Sequence, residues 1–394
     1  MRILYVAMKH DYGRPEQGLS FEHYTFYESL VGMGHDILYF DFMGLLARLG
    51  REGMNRRLVE VAREARPDLL FCVLFQEQLD RKAVRAISAQ GAAPTVNWFC
   101  DDHWRFEAFS RHWAPCFNWA VTTAAGALPK YARIGYANVI KSQWACNHFR
   151  YRRLGLPPAH DVTFVGQVHG NRRKVIQALG AAGVAVRAWG RGWEDGRLDQ
   201  DGMIRVFNQS RINLNLAEAS QAPRTAALAF KEARHAVRNW ISDRVNVIPG
   251  VAALRERARA RRRARKERQA AQQPEAKKSA GPARPVQIKG RNFEVPGCGG
   301  FLLTGVAENL EDYYREGREV AVFRDDAELV ARVRHYLEHE DERAAIAEAG
   351  YRRTLQEHTY VHRFTEIFAR MGLGAPALEE ALRGRPPGST VEIG

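Results

Sequence analysis

The feature that most constrains this chain is a repeated alternation. A short apolar run of strand type is followed by a segment with helical spacing, and the pair recurs along most of the length. Strand-type runs lie at 2–7, 35–42, 68–75, 94–99, 119–123 and 138–142, with helical spacing at 20–34, 56–65, 81–90 and 126–134. Runs such as DLLFCVLF at 68–75 are apolar on both faces, so they suit a parallel sheet covered by helices on each side. This order predicts a doubly wound α/β domain over residues 1–144.

A second cycle begins after a linker, 145–160, that holds several arginines and the Pro157-Pro158 pair. Its strands are expected at 162–165, 184–189, 211–216, 301–304 and 319–323, and its helices at 172–183, 203–210, 310–316, 326–337, 341–357 and 360–371. The second domain therefore spans 161–373, and residues 374–394 read as a loose tail. A chain of 394 residues is long enough for two cores, because single cores stop growing near roughly 250–300 residues.

The net charge of +14 is concentrated in one place. Residues 219–288 carry 17 Lys/Arg against 5 Asp/Glu, which leaves the rest of the chain nearly neutral. This segment interrupts the second domain as a basic insertion, helical in its first part and Pro/Ala/Lys-rich in its last. Three uses are open to it: a solvated charge run, a contact with an anionic membrane surface, or a grip on a polyanion such as nucleic acid or an acidic glycan. No run reaches the roughly 18–20 apolar residues of a membrane span, and Met1-Arg2 leads straight into the first strand, so a cytoplasmic protein, peripheral at most to the inner face of a membrane, is expected. Cys72, Cys100, Cys116, Cys146 and Cys298 are scattered and form no CxxC pair, which argues against a disulfide framework or a zinc knuckle.

The stretch at 289–305, KGRNFEVPGCGGFLLTG, joins a charged entry, one glutamate, a glycine turn and an apolar strand. Gly297, Gly299 and Gly300 permit backbone shapes closed to other residues, so a ligand is expected to approach closely there. Upstream, FVGQVHGNRRK places Gly166 after a strand and Arg172, Arg173 and Lys174 at a helix start. Free N–H groups, the helix dipole and guanidinium forks are what a diphosphate needs.

Together these two stretches resemble the CgeB-like branch of the GT-B glycosyltransferases, a spore-maturation family of the group 1 type. The resemblance implies two Rossmann-like domains facing a cleft and transfer of a sugar from a nucleoside-diphosphate sugar to a glycan, lipid or protein acceptor. It implies that Glu294 hydrogen-bonds the donor ribose, that Gly166, Arg172, Arg173, Lys289, Arg291, Gly299 and Gly300 serve the nucleotide sugar, and that the final helix crosses back to the first domain. Many retaining relatives carry another glutamate eight residues earlier, where this chain has Val286.

On the acceptor side, Asp101-Asp102-His103 directly follow a sheet strand, where open α/β sheets bind ligands, and offer a carboxylate or an imidazole as general base. His10, with Asp11, stands in the loop after the first strand and offers the same chemistry. No HExxH, calcium loop or Cys/His cluster points to a metal, and no cofactor beyond the donor substrate is expected. A nucleotide-sugar epimerase of the same fold, or a catalytically idle module that binds polyanions through its insertion, are the alternative readings.

Overall fold

The computed structural model describes residues 1–216, 286–374, 376–386 and 388–394. The insertion expected at 219–288 lies outside these residues except at its end. There it needs correction: Gln287 and Ile288 are buried, and Glu308 N donates to Val286 O at 2.8 Å, so 286–288 belong to the packed lobe.

The first lobe is built on β1 (Arg2–Ala7), β2 (Asp36–Asp41), β3 (Leu69–Cys72), β4 (Thr95–Phe99), β5 (Trp119–Thr122) and β6 (Val139–Lys141). The second is built on β7 (His160–Val165), β8 (Arg187–Trp189), β9 (Ser210–Asn215), β10 (Leu302–Gly305) and β11 (Ala321–Phe323). Every pairing is parallel, and the central strands are buried along their whole length, as the continuous apolar runs require. With β12 (Thr390–Glu392) at one edge, the sheet orders are β12-β2-β1-β3-β4-β5-β6 and β11-β10-β9-β7-β8. Order reverses between β1 and β3 in one sheet and between β7 and β9 in the other, so the crevices beyond their carboxyl ends are the natural ligand positions.

Two local expectations change. The segment at 20–34 is not one regular helix: His23–Tyr27 forms a π-helical turn before the short α-helix Glu28–Gly32. Such turns displace side chains from the 3.6-residue register, and they cluster at functional sites. The segment at 310–316 is only the 3-10 turn Leu310–Asp312.

The tail is a correction too. Helix Leu378–Arg383 buries Ala381, and β12 (Thr390–Glu392) adds to the first sheet beside β2, with Ile37 N donating to Ser389 O at 2.8 Å. Its polar, glycine-rich sequence hid a strand held by backbone pairing and by side-chain ties from Asp36 to Ser389 and from Lys9 to Glu392.

The helix Tyr360–Arg370 packs its apolar face on the first lobe, as the family resemblance implied. Tyr360 meets Phe26 at 5.2 Å, Phe364 meets Phe71 at 5.7 Å, and Phe368 meets His35 at 5.7 Å. Phe26 in turn lies 4.7 Å from Trp98 and 6.1 Å from Trp144. Buried aromatic pairs of this kind contribute roughly 0.5–1.5 kcal/mol each beyond their area. Polar ties across the opposite side, such as Arg197 to Asp11 at 2.7 Å and Arg191 to Gln17 at 2.6 Å, are exposed and worth about 0–1 kcal/mol. The ring seam therefore contributes more to holding the lobes together than these exposed ties.

Several imidazoles are buried in this arrangement. Burial, ahead of neighbouring cations, depresses His23, His35, His103 and His362 to about 4 and His358 to about 3. Unfolded histidines titrate near 6.5, so between about 6.5 and 4 the unfolded chain takes up protons that the folded chain refuses. Stability is full above that window and falls as pH drops through it. Glu22, raised to about 7 by burial, works in the opposite sense by one proton. Urea unfolding should lose more than about 1.4 kcal/mol per pH unit between about pH 6 and 5. A flat profile across that range would show that these rings are solvated.

Candidate functional site

The loops at the carboxyl ends of the two sheets face one another. From the first lobe, Ser20 Oγ donates to Met8 O at 2.7 Å, and Lys9 to Ser20 closes the loop after β1. That loop reaches Arg191 and Arg197 of the second lobe through Gln17 and Asp11. Gln287 Nε2 donates to Cys100 O at 2.9 Å, which brings the 286–291 segment against the end of β4.

On the second lobe three cations converge. Arg172 opens the helix Arg172–Ala181, and its guanidinium donates to Gln167 O at 3.0 Å and Leu216 O at 3.1 Å. Burial and then the charge of Arg291 hold it below its ordinary value. Lys289 is lowered by burial, drawn back by Asp101 and pushed down again by Arg172. Carbonyls and Gln287 are the hydrogen-bond partners of Arg172 and Lys289, so their positive field is left largely unneutralised. Gly190, at φ +135, lets the β8 turn lie on the Gly166 loop, since a Cβ there would stand 2.3 Å from Gly166 O. Arg173 is exposed, donates to Gly192 O at 2.8 Å and covers the Trp193 ring.

Glu294 lies in the helix Arg291–Gly297 and is 0% exposed. It is ion-paired with Arg291, and Tyr151 of the linker donates to its Oε1 at 3.0 Å. In this arrangement a ribose reaches the carboxylate only by displacing one of those partners. Gly299 and Gly300 need a different account from the one expected. A Cβ on Gly299 would meet Arg153 Nε at 2.4 Å, and one on Gly300 would meet Phe207 O at 2.7 Å, so the close approach is made by the chain itself.

The Asp101-Asp102-His103 triplet divides. Asp102 is 0% exposed, and Tyr131 donates to its Oδ2 at 2.7 Å; burial raises it, against the nearby hydroxyls of Ser110, Thr122 and Tyr131. It is turned into the lobe rather than towards a cleft ligand. Asp101 acts on Lys289 across the cleft. His103 stands 4.0 Å from Glu308, and its Nδ1 is buried without a hydrogen-bond partner. Burial and the neighbouring lysines depress it to about 4, so it is neutral at pH 7 and a weaker base than an exposed imidazole. His10 is half-buried and bridges Leu19 in the β1 loop.

Sequence reading missed Glu22. Its Oε2 is buried with no partner, burial raises it to about 7, and the fields of Asp11 and Asp101 act on it. Its neighbour Phe21 packs against Gly290, so this carboxyl sits where the lobes meet. No spacing in the sequence marks it, because its burial comes from tertiary packing just before the π-helical turn. Among the described residues no group of three His, Cys, Asp or Glu is placed to hold a metal ion, and no helix is long and apolar enough to cross a membrane.

A family model described as glycosyl transferase-like matches residues 274–369. No curated protein matches the chain by sequence. Among solved structures it is similar to Anabaena HepE in complex with UDP-glucose, at 12% identity and TM-score 0.55, covering 94% of this chain and 99% of that one. It is also similar to a glycosyltransferase from Rickettsia africae, at 7% identity and TM-score 0.54, covering 94% and 98%. Sucrose-phosphate synthase from Thermosynechococcus elongatus follows at 9% and 0.52, covering 94% and 98%. The fold is the two-lobed GT-B arrangement of parallel α/β sheets.

The Glu294 set is testable without any ligand. Glu294→Gln strips Arg291 of its anion; because Arg291 is 28% exposed and partly rehydrates, the loss should be about 2–3 kcal/mol, below the range for a fully sealed pair. Tyr151→Phe should cost about 1 kcal/mol. Chemical denaturation of both single variants and the double variant decides the matter, and strict additivity would sink the coupling.

Proposed function

We propose that this chain is a glycosyltransferase that takes a sugar from a nucleoside-diphosphate sugar held by the second lobe and passes it to an acceptor held by the first. The observation that carries the reading is the convergence of Arg172, Lys289 and Arg291 beyond β7 and β9, facing the ends of β1 and β4. As the glycosidic bond to the donor breaks, negative charge builds on the departing diphosphate. Fixed cations and the open N-terminus of the helix Arg172–Ala181 stabilise that charge, usually the largest catalytic contribution. Arg291 is the better phosphate ligand than Lys289, because a planar fork makes two bonds at once. Ribose contact by Glu294 then requires a switch from Tyr151 on nucleotide entry.

Across the cleft, neutral His103 takes the proton of the acceptor hydroxyl, with Asp101, Glu22 and His10 as the remaining acid/base candidates. The cations named above supply charge neutralisation from the protein itself, which supports a metal-independent reaction. Cys298-Gly299-Gly300 after Glu294 supports a CgeB-like relationship within the wider fold. We read the basic segment 219–285 as the contact with an anionic membrane surface or glycan, and the enzyme as cytoplasmic.

Calorimetry with UDP, GDP, ADP and their sugars tests the reading, beginning with the uridine series because HepE is solved with UDP-glucose. One series should bind, and at about 100 times its dissociation constant it should add roughly 2.7 kcal/mol of stability. His103→Gln should keep that binding and lower transfer by about 100-fold or more. Binding by none of the nucleotides would end the glycosyltransferase reading. Conversion of the donor sugar without any acceptor would favour an epimerase instead.

A further inference from the structure

The first-lobe side of the cleft carries positive charge that donor binding does not use. Lys141 ends β6 and is half-buried. Its ammonium donates to Ser142 O at 3.1 Å and to the Tyr313 hydroxyl at 3.0 Å, and it lies 5.6 Å from the Tyr313 ring centre. Neutral oxygens and a ring face pin the charge in place without cancelling it. Lys130, in the helix Leu128–Arg133, is likewise half-buried, with its ammonium 5.7 Å from the Phe106 ring. Among the described residues neither ammonium has a carboxylate within ion-pair distance, although many arginines there do.

Both lysines act on one group. The fields of Lys289, Lys141 and Lys130 fall on His103, whose Nδ1 is buried and unpartnered. Two carboxylates share the neighbourhood. Asp101 acts on Lys289, and Glu308 reaches from the second lobe towards His103 Nε2 and the turn at Gly126. Neither forms an ion pair with Lys130 or Lys141. Two half-desolvated ammonium groups beside a neutral imidazole make an electrostatic hole, and such a hole favours a ligand that brings its own negative charge.

We propose that the acceptor carries an anionic group, a phosphate or a carboxylate, seated on Lys130 and Lys141 beside His103. The Tyr313 hydroxyl, which accepts from Lys141, has its own proton free to donate to that group. The hydroxyl that receives the sugar then lies between the imidazole and the donor, so that its proton passes to His103 as its oxygen bonds to the sugar and the nucleoside diphosphate departs. This inference rests on the glycosyl-transfer reading and names the class of its acceptor.

Full-length protein, with the nucleoside diphosphate that binds it and again without any nucleotide, is titrated calorimetrically with glucose 6-phosphate, glucuronate and glucose as probes. At least one anionic sugar should bind about tenfold or more tighter than glucose, and the phosphate and carboxylate arms identify which anion is preferred. Lys141→Met and Lys130→Met should each remove most of that preference while nucleotide affinity stays within about twofold. Melting curves of both variants verify that they are folded. Equal binding of glucose and the anionic sugars overturns the inference, and so does a loss of nucleotide affinity in the lysine variants, which would assign these cations to the donor diphosphate. Failure of every nucleotide to bind defeats the proposed function instead, and the anion preference is then read from the nucleotide-free titrations.

Discussion

A single buried carboxylate organises the junction of this protein. Glu294 sits at 0% exposure, neutralised by Arg291 and hydrogen-bonded by Tyr151, and Gln200 in turn donates to the Tyr151 hydroxyl at 2.6 Å. A carboxylate out of water is tolerated only when charge and hydrogen bonds are both supplied, so these partners cannot drift independently. The linker, the helix Arg291–Gly297 and the helix Gln200–Gln209 are thereby fixed to one another. The position of the cations beyond β7 and β9 follows from that.

On the other side of the junction the lobes are held by rings. Phe26, Phe71, Trp98, Trp144, Tyr360 and Phe364 form a continuous seam between the first sheet and the returning C-terminal helix. Its non-directional energy outweighs the exposed polar ties of Asp11 and Gln17. The C-terminal strand adds to the hold, because Lys9, at the root of the β1 loop, is ion-paired with Glu392 of β12.

Much of the architecture was legible from the pattern of apolar runs. Continuous apolar strands alternating with helical spacing admit few folds besides parallel α/β sheets, and both sheets lie where that pattern put them. The glycine-cation stretch at 166–174 follows the end of β7, and the one at 289–300 holds the helix Arg291–Gly297 ahead of β10. Where reading failed, local pattern was the wrong evidence. The 374–394 segment adds a strand to the first sheet through backbone pairing without an apolar alternation to announce it, and Glu22 is buried by neighbours that no compositional mark reports.

The site divides in the same way. Asp101, Asp102 and His103 are adjacent in sequence, yet only packing sends Asp102 inward to Tyr131 and leaves His103 at the cleft. Gly300 is demanded by the backbone of Phe207, a residue far away in the chain, and Gly299 by its own left-handed backbone at φ +74. Lys130, Lys141, Gln287 and Glu308 come from four separate segments, and their meeting is a property of strand order alone. The sequence by itself determined the two-sheet class, the location of the basic segment and the chemical types available at the strand ends, because these depend on local periodicity and composition. Which of those groups are buried, paired or left with an unspent charge was decided only by the tertiary structure, because desolvation and electrostatic field depend on neighbours that the chain brings together from a distance.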